Sequence, residues 1–87
     1  MTPELKLQLR HFIIAALTTI GTQGMVVETL LRDARLRIHS AITLPELEAE
    51  LREQADKAWL ISFTSPSGLQ RWRVTSLGQS VAAEMGL

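Results

Sequence analysis

The side chains of this 87-residue chain best suited to chemistry are its arginines. Arg32, Arg35 and Arg37 fall in one short stretch, and Arg71 and Arg73 flank Trp72 at the spacing of one strand face. A guanidinium is always charged and carries five N–H donors, so such groupings suit phosphate or carboxylate ligands. Ser65 and Ser67 stand just ahead of the second pair and add hydroxyl donors. Against these stand Glu46, Glu48, Glu50, Glu53 and Asp56. Residues 30–42 hold three arginines and one aspartate, a net +2, whereas residues 43–57 hold five acids and two bases, a net −3. A solvated helix or hairpin face accounts for each of these residues singly. The signal lies in the grouping.

Other chemistries find little footing. The absence of cysteine excludes disulfides, thiolate metal sites and a Cys nucleophile. His11 and His39 are the only histidines, and neither has carboxylates at metal-ligand spacing, so no metal or cofactor is expected. There is no Gly-rich phosphate loop and no Ser/His/Asp motif, so the chain is not expected to be an enzyme. Net charge is zero, which weighs mildly against a dedicated nucleic-acid binder.

The composition is that of one globular domain over residues 1–87, 46% hydrophobic and 21% charged. A chain this short leaves a thin margin of stability, and pairing with a second copy would add buried area. The longest apolar run, Phe12 to Leu17, is too short to span a membrane, and a cytoplasmic location is the default. Lys6 and Arg10 ahead of Phe12–Ile20 faintly resemble a signal peptide, but the segment has helical periodicity and lacks a small-residue cleavage site.

Three helices must position the charged groups. The first runs from Met1 to Ile20, with Thr2 as cap, Pro3 in the first turn and a broad apolar face of Leu5, Leu9, Phe12, Ile13, Ala16, Leu17 and Ile20. Leu7, His11 and Ile14 form a second stripe. Either the domain covers it, or it is a homodimer seam. Gly21-Thr22-Gln23-Gly24 is a loop, and Met25-Val26-Val27 reads as a very short strand or as the start of the next helix. The second helix, Glu28 to about Arg37, has Val27, Leu30, Leu31, Ala34 and Ile38 at helical spacing.

The third helix has the strongest local signal. Thr43-Leu44-Pro45-Glu46 is a capping box, and Ile42 and Leu47 are placed as a hydrophobic staple. Leu44, Leu47, Leu51, Ala55 and Ala58 form the expected inward row, with Glu48–Arg52 and Glu53–Lys57 as i,i+4 pairs. The opposite side then presents Glu46, Glu50 and Glu53. After Ala58 the period changes from 3.6 to 2. Trp59, Ile61 and Phe63 alternate with Leu60, Ser62 and Thr64, and Ser65-Pro66-Ser67-Gly68 turns the chain. Leu69 to Thr75 returns with Trp72 and Val74 on one face and Arg71, Arg73 and Thr75 on the other. Thr75 or Ser76 caps a short last helix with Leu77, Val81 and Met85 as apolar positions, its first turn weakened by Gly78.

This order resembles the winged helix-turn-helix fold: α+β, three helices, a two-stranded hairpin wing and a short C-terminal helix. The resemblance rests on Thr43-Leu44-Pro45-Glu46-Leu47-Glu48-Ala49-Glu50-Leu51 leading into Ala58-Trp59-Leu60-Ile61. It continues in Arg71-Trp72-Arg73-Val74-Thr75-Ser76-Leu77-Gly78, which looks like the wing strand and exit of small bacterial regulators. The resemblance implies double-stranded DNA as partner, commonly bound by a homodimer, with the third helix in the major groove and the wing on the backbone. Arg32, Arg35, Arg37, Arg71, Arg73 and Ser67 are then the expected contacts. The acidic third helix departs from that pattern, because phosphates repel carboxylates. The alternative is a protein-interaction module whose Glu46, Glu50 and Glu53 face a basic protein partner and which binds no DNA.

Overall fold

A computed structural model describes residues Met1–Leu87 as four helices and one two-stranded antiparallel sheet, an α+β arrangement. The elements run α1 (Pro3–Ile20), a 3₁₀ turn (Gly21–Gln23), α2 (Val27–Arg37), α3 (Leu44–Asp56), β1 (Leu60–Thr64), β2 (Gln70–Val74) and α4 (Ser76–Glu84). No helix is long and apolar enough to cross a membrane.

Local signals in the chain set most of the boundaries. Thr2 caps α1, its hydroxyl accepting from the Leu5 N–H at 3.1 Å. At α3 the Thr43 hydroxyl accepts from the Glu46 N–H at 3.3 Å, and Glu46 Oε1 accepts from the Thr43 N–H at 2.9 Å. The capping box therefore forms in full. Ile42 and Leu47, the two arms of the staple, are both buried. Helix α3 ends in a Schellman turn: Trp59 N–H bonds Gln54 C=O at 3.0 Å, and Ala58 N–H bonds Ala55 C=O at 2.9 Å. Ala58 takes the left-handed position of that turn at φ 63, where a Cβ is disfavoured.

The core is one cluster. Leu9, Ile13, Ile14 and Leu17 of α1 lie at its centre, with Leu30 and Ala34 of α2, Leu47 and Leu51 of α3, Leu60, Val74 and Ala82 around them. Full burial of a leucine or isoleucine contributes about 1.5–3 kcal/mol. Ile14 belongs to this cluster and has no exposed surface, so the second stripe of α1 is covered by the domain itself at that point. Ile14 is therefore not available to a dimer seam. Leu7 remains half exposed, and His11 is partly covered.

The expected inward row of α3 is rotated. Leu44 is 38% exposed, and the fully buried positions are Leu47, Glu50, Leu51 and Gln54. Apolar spacing alone pointed to Leu44, but the buried positions further along are shared with the polar side chains Glu50 and Gln54, which have partners on α1.

The hairpin register pairs Leu60 with Val74, Ser62 with Trp72 and Phe63 with Arg71. Leu60, Trp72 and Val74 face the helices, so Ile61 and Phe63 join Arg71 and Arg73 on the outer face. Met25 forms an isolated antiparallel bridge to Trp72, with both backbone bonds at 2.9 Å, while Val27 already belongs to α2. The stretch read as strand or helix start is thus each in turn. Gly24 lets this bridge form, since a Cβ there would overlap the Trp72 carbonyl.

Thr75 locks the hairpin to α4. Its hydroxyl donates to the Ala58 carbonyl at 2.6 Å and accepts from the Gly78 N–H at 3.0 Å, and its N–H bonds Trp59 C=O at 2.9 Å. Gly78 is buried against Trp59 and Val74, where any Cβ would collide with the Trp59 carbonyl. Its role is close approach, and the weakened first turn expected of it is incidental. Leu77, expected to face inward, is 51% exposed; Gly78 and Ala82 are the buried positions of α4.

Candidate nucleic-acid interface

The acidic face expected on α3 does not stand free. Glu46 is held in the capping box, where hydrogen bonds from the Thr43 backbone and hydroxyl keep its carboxyl below the usual range. Glu50 is 2% exposed and accepts from Arg10 Nε at 2.9 Å. Glu53 lies 3.4 Å from Lys6 Nζ and 3.7 Å from an Arg10 terminal nitrogen. The Met1 ammonium adds a 3.9 Å contact to Glu46. The trio named for a basic partner is therefore mostly spent within the domain, and Glu50 is removed from the surface altogether. The pairs expected within α3, Glu48–Arg52 and Glu53–Lys57, do not close; α1 supplies the cations instead.

The sequence held a clue to this. Lys6 and Arg10 are spaced i,i+4 on one helix, and Glu46, Glu50 and Glu53 run i,i+4,i+7 on another. Two complementary stripes of that kind can zip two helices together. Gln54 completes the contact by donating to the Arg10 carbonyl at 3.2 Å.

The outward charge of α3 is consequently balanced. Glu48, Arg52, Asp56 and Lys57 are its exposed charged residues, two acids and two bases. Lys57 sits 4.7 Å above the Trp59 ring.

On α2, Arg35 and Arg32 have separate partners. Arg35 Nε donates to the Ile42 carbonyl at 2.8 Å, tying the end of α2 to the connection before α3. Arg32 Nε lies 3.5 Å from Asp33 Oδ1. Arg37 and Asp33 border a groove floored by Phe12, Ala16 and Met25. All three arginines lie on exposed positions of the helix.

The hairpin differs. From Lys57 to Ala83 the chain has three cations, Lys57, Arg71 and Arg73, and no carboxylate. Arg71 is positioned by one bond, its terminal nitrogen donating to Gly24 O at 3.3 Å, which leaves its other donors free. The Arg73 guanidinium lies 5.0 Å over the Phe63 ring, a stacking contact that orients it without using its N–H groups. Ser65 and Ser67 hydroxyls are 2.8 Å apart at the turn. Together with Arg71, Gln23 and Phe63 they line a shallow concavity of ≈ 410 Å³. Of the residues expected to contact a polyanion, Ser67 and Arg71 are brought to one place, and Arg73 to the same strand face. Ile61 and Phe63 are outer-face residues that alternation alone could not assign, because both faces of β1 carry an apolar residue.

Compared with protein-family models, with curated protein sequences and with solved structures, the chain finds no match.

Proposed function

We propose that the chain is a winged-helix DNA-binding domain of the small-regulator type, acting as a homodimer, with the outer hairpin face as its main phosphate contact. The element order supports the fold reading: α2 and α3 would be the helix-turn-helix pair, β1 and β2 the wing, and the Met25–Trp72 bridge its third strand. The observation that carries the functional reading is the acid-free stretch from Lys57 to Ala83, with Arg71, Arg73 and the Ser65–Ser67 pair on one side of the hairpin. A phosphate backbone is bound by such a set of guanidinium and hydroxyl donors. The α3 objection weakens because Glu46, Glu50 and Glu53 are matched by the Met1 ammonium, Lys6 and Arg10. The same pairing buries Glu50 and leaves Glu46 and Glu53 partly engaged, which narrows the surface that a basic protein partner would need.

With a balanced α3 face, base reading is weak and backbone contact dominates. Affinity should then fall steeply with salt and vary little with sequence. Fluorescence anisotropy of a labelled random duplex, titrated with the protein over a range of salt, tests this. A salt-dependent isotherm supports the reading. A folded protein with no affinity for duplex at low salt ends it.

A further inference from the structure

Strand β1 has one partner only. Its order in the sheet is β1–β2, and the Met25 bridge lies on the far side of β2. The bonds Thr75 N–H to Trp59 C=O and Ser65 N–H to Leu69 C=O fix the phase of the ladder. In an antiparallel pair the hydrogen-bonded residues alternate, so Ile61 and Phe63 bond to Arg73 and Arg71. Ser62 and Thr64 turn their N–H and C=O groups to the open edge, and Leu60, 3% exposed, closes that edge at one end. Natural edge strands are usually guarded by a lysine, a proline or a bulge. The sequence Leu-Ile-Ser-Phe-Thr has none of these and continues unbroken through all five residues.

We propose that β1 pairs with β1 of a second copy of this chain, antiparallel and centred on Ser62, to give a continuous four-stranded sheet across the dimer. The strand is self-complementary about that centre. Ser62 meets Ser62 as a hydrogen-bonded pair at the centre, each copy using its outward N–H and C=O. Ile61 meets Phe63 in the flanking non-hydrogen-bonded pairs, where side chains approach most closely. These are β-branched–aromatic pairs, a favourable combination across strands. They would cover Ile61, which is 46% exposed in the single chain.

Charge favours a second copy over a charged partner. The pairing strand is neutral, so no like charges meet across the dyad. Arg71 and Arg73 lie on β2, one strand removed in each copy, and the chain's zero net charge gives no long-range repulsion. A short strand edge centred on Ile61 to Phe63 makes an interface at the small, transient end of the range, so the dimer is reversible on dilution. It also brings Arg71 and Arg73 of both copies onto one face of the joined sheet. The inference thus deepens the dimeric reading above, but it is tested on the protein alone, so that its failure and the failure of DNA binding are separable.

The experiment is sedimentation velocity of the full chain across a wide concentration range, with Ser62→Pro and Ile61→Lys as variants. Proline at 62 removes only an N–H that faces the open edge, and lysine at 61 leaves the backbone intact; circular dichroism reports whether each remains folded. The expected result is a mass rising from the 9.7 kDa monomer towards twice that value, with both variants monomeric at the same concentrations. Amide exchange at Ser62 should slow as concentration rises. In mixed labelled and unlabelled samples, Phe63 should show intermolecular contacts to Ile61. A wild type that stays monomeric throughout overturns the proposal. So does a dimer that folded variants retain, a dimer whose intermolecular contacts lie at Leu7 and His11, or a Ser62 amide protected equally at all concentrations.

Discussion

Arg10 Nε donates to Glu50 Oε1 at 2.9 Å, joining α1 to α3 across forty residues of chain. The carboxylate is buried and the arginine side chain 23% exposed. Removing one partner should be far worse than removing both. Arg10→Ala leaves a buried carboxylate without its cation, and a loss of about 3 kcal/mol in urea unfolding is expected. Arg10→Met combined with Glu50→Leu should recover most of that loss, since an apolar pair of similar volume often matches a buried ion pair. If the single and double variants are equally destabilised, the pair is not what holds this contact.

Two backbone positions should respond in opposite directions. Ala58 occupies left-handed backbone at φ 63, so Ala58→Gly is expected to stabilise by about 1 kcal/mol. Gly78→Ala improves helix propensity but drives a methyl group into the Trp59 carbonyl and Val74, and should destabilise by about 2 kcal/mol. For a domain of this size each kcal/mol moves the thermal midpoint by roughly 4–8 °C. A raised midpoint for Gly78→Ala would show that α4 does not press on Trp59 as described.

The difference between what was legible and what was not follows sequence separation. The capping box at Thr43–Glu46, the Ile42–Leu47 staple, the Thr2 cap and the Ser65–Gly68 turn were all readable, because each pairs groups a few residues apart. The charge of α3 was misread because its partners, Lys6 and Arg10, lie on another helix. Whether the domain or a second copy covers Ile14 was open in the sequence, because α4, which packs on α1 and places Ala82 in the same core cluster, lies at the other end of the chain. The outward turn of Ile61 and Phe63 is fixed by register against β2, which alternation cannot supply when both faces of a strand carry apolar residues. Of the candidate contacts, Arg71 and Arg73 kept the placement their spacing implied, whereas Arg35 proved to be tied to a backbone carbonyl.

The α3 cap should make stability sensitive to acid. Hydrogen bonds from Thr43, backbone first and hydroxyl second, depress the Glu46 carboxyl in the folded protein. A depressed folded value means that the unfolded chain takes up the proton more readily. The stabilisation is therefore complete above the ordinary glutamate value of about 4.3 and is lost as pH falls below it, through the folded value. Glu53 is shifted in the same direction and adds to the slope. Urea midpoints measured from neutral to acid pH should drop in that window. Glu46→Gln should flatten part of the drop, and an unchanged slope would remove the cap as its source.

The arginines on α2 and on the hairpin should separate cleanly when stability and duplex binding are measured together. Arg35 donates to the Ile42 carbonyl at 2.8 Å, and Ile42 is one arm of the α3 staple. Arg35→Ala should lower stability by about 1–2 kcal/mol, through the lost charge-assisted bond, and leave the salt dependence of binding unchanged. Arg71→Ala and Arg73→Ala touch neither cap nor core. Each should leave the urea midpoint nearly in place and reduce the slope of log K against log salt by about 0.9, the signature of one lost phosphate contact. The two losses should add in the double variant, because the Arg71 guanidinium is held by the Gly24 carbonyl and that of Arg73 by the Phe63 ring. If Arg35→Ala alone reduces the slope while the hairpin variants do not, the phosphate contact lies on α2, and the hairpin arginines serve only the fold.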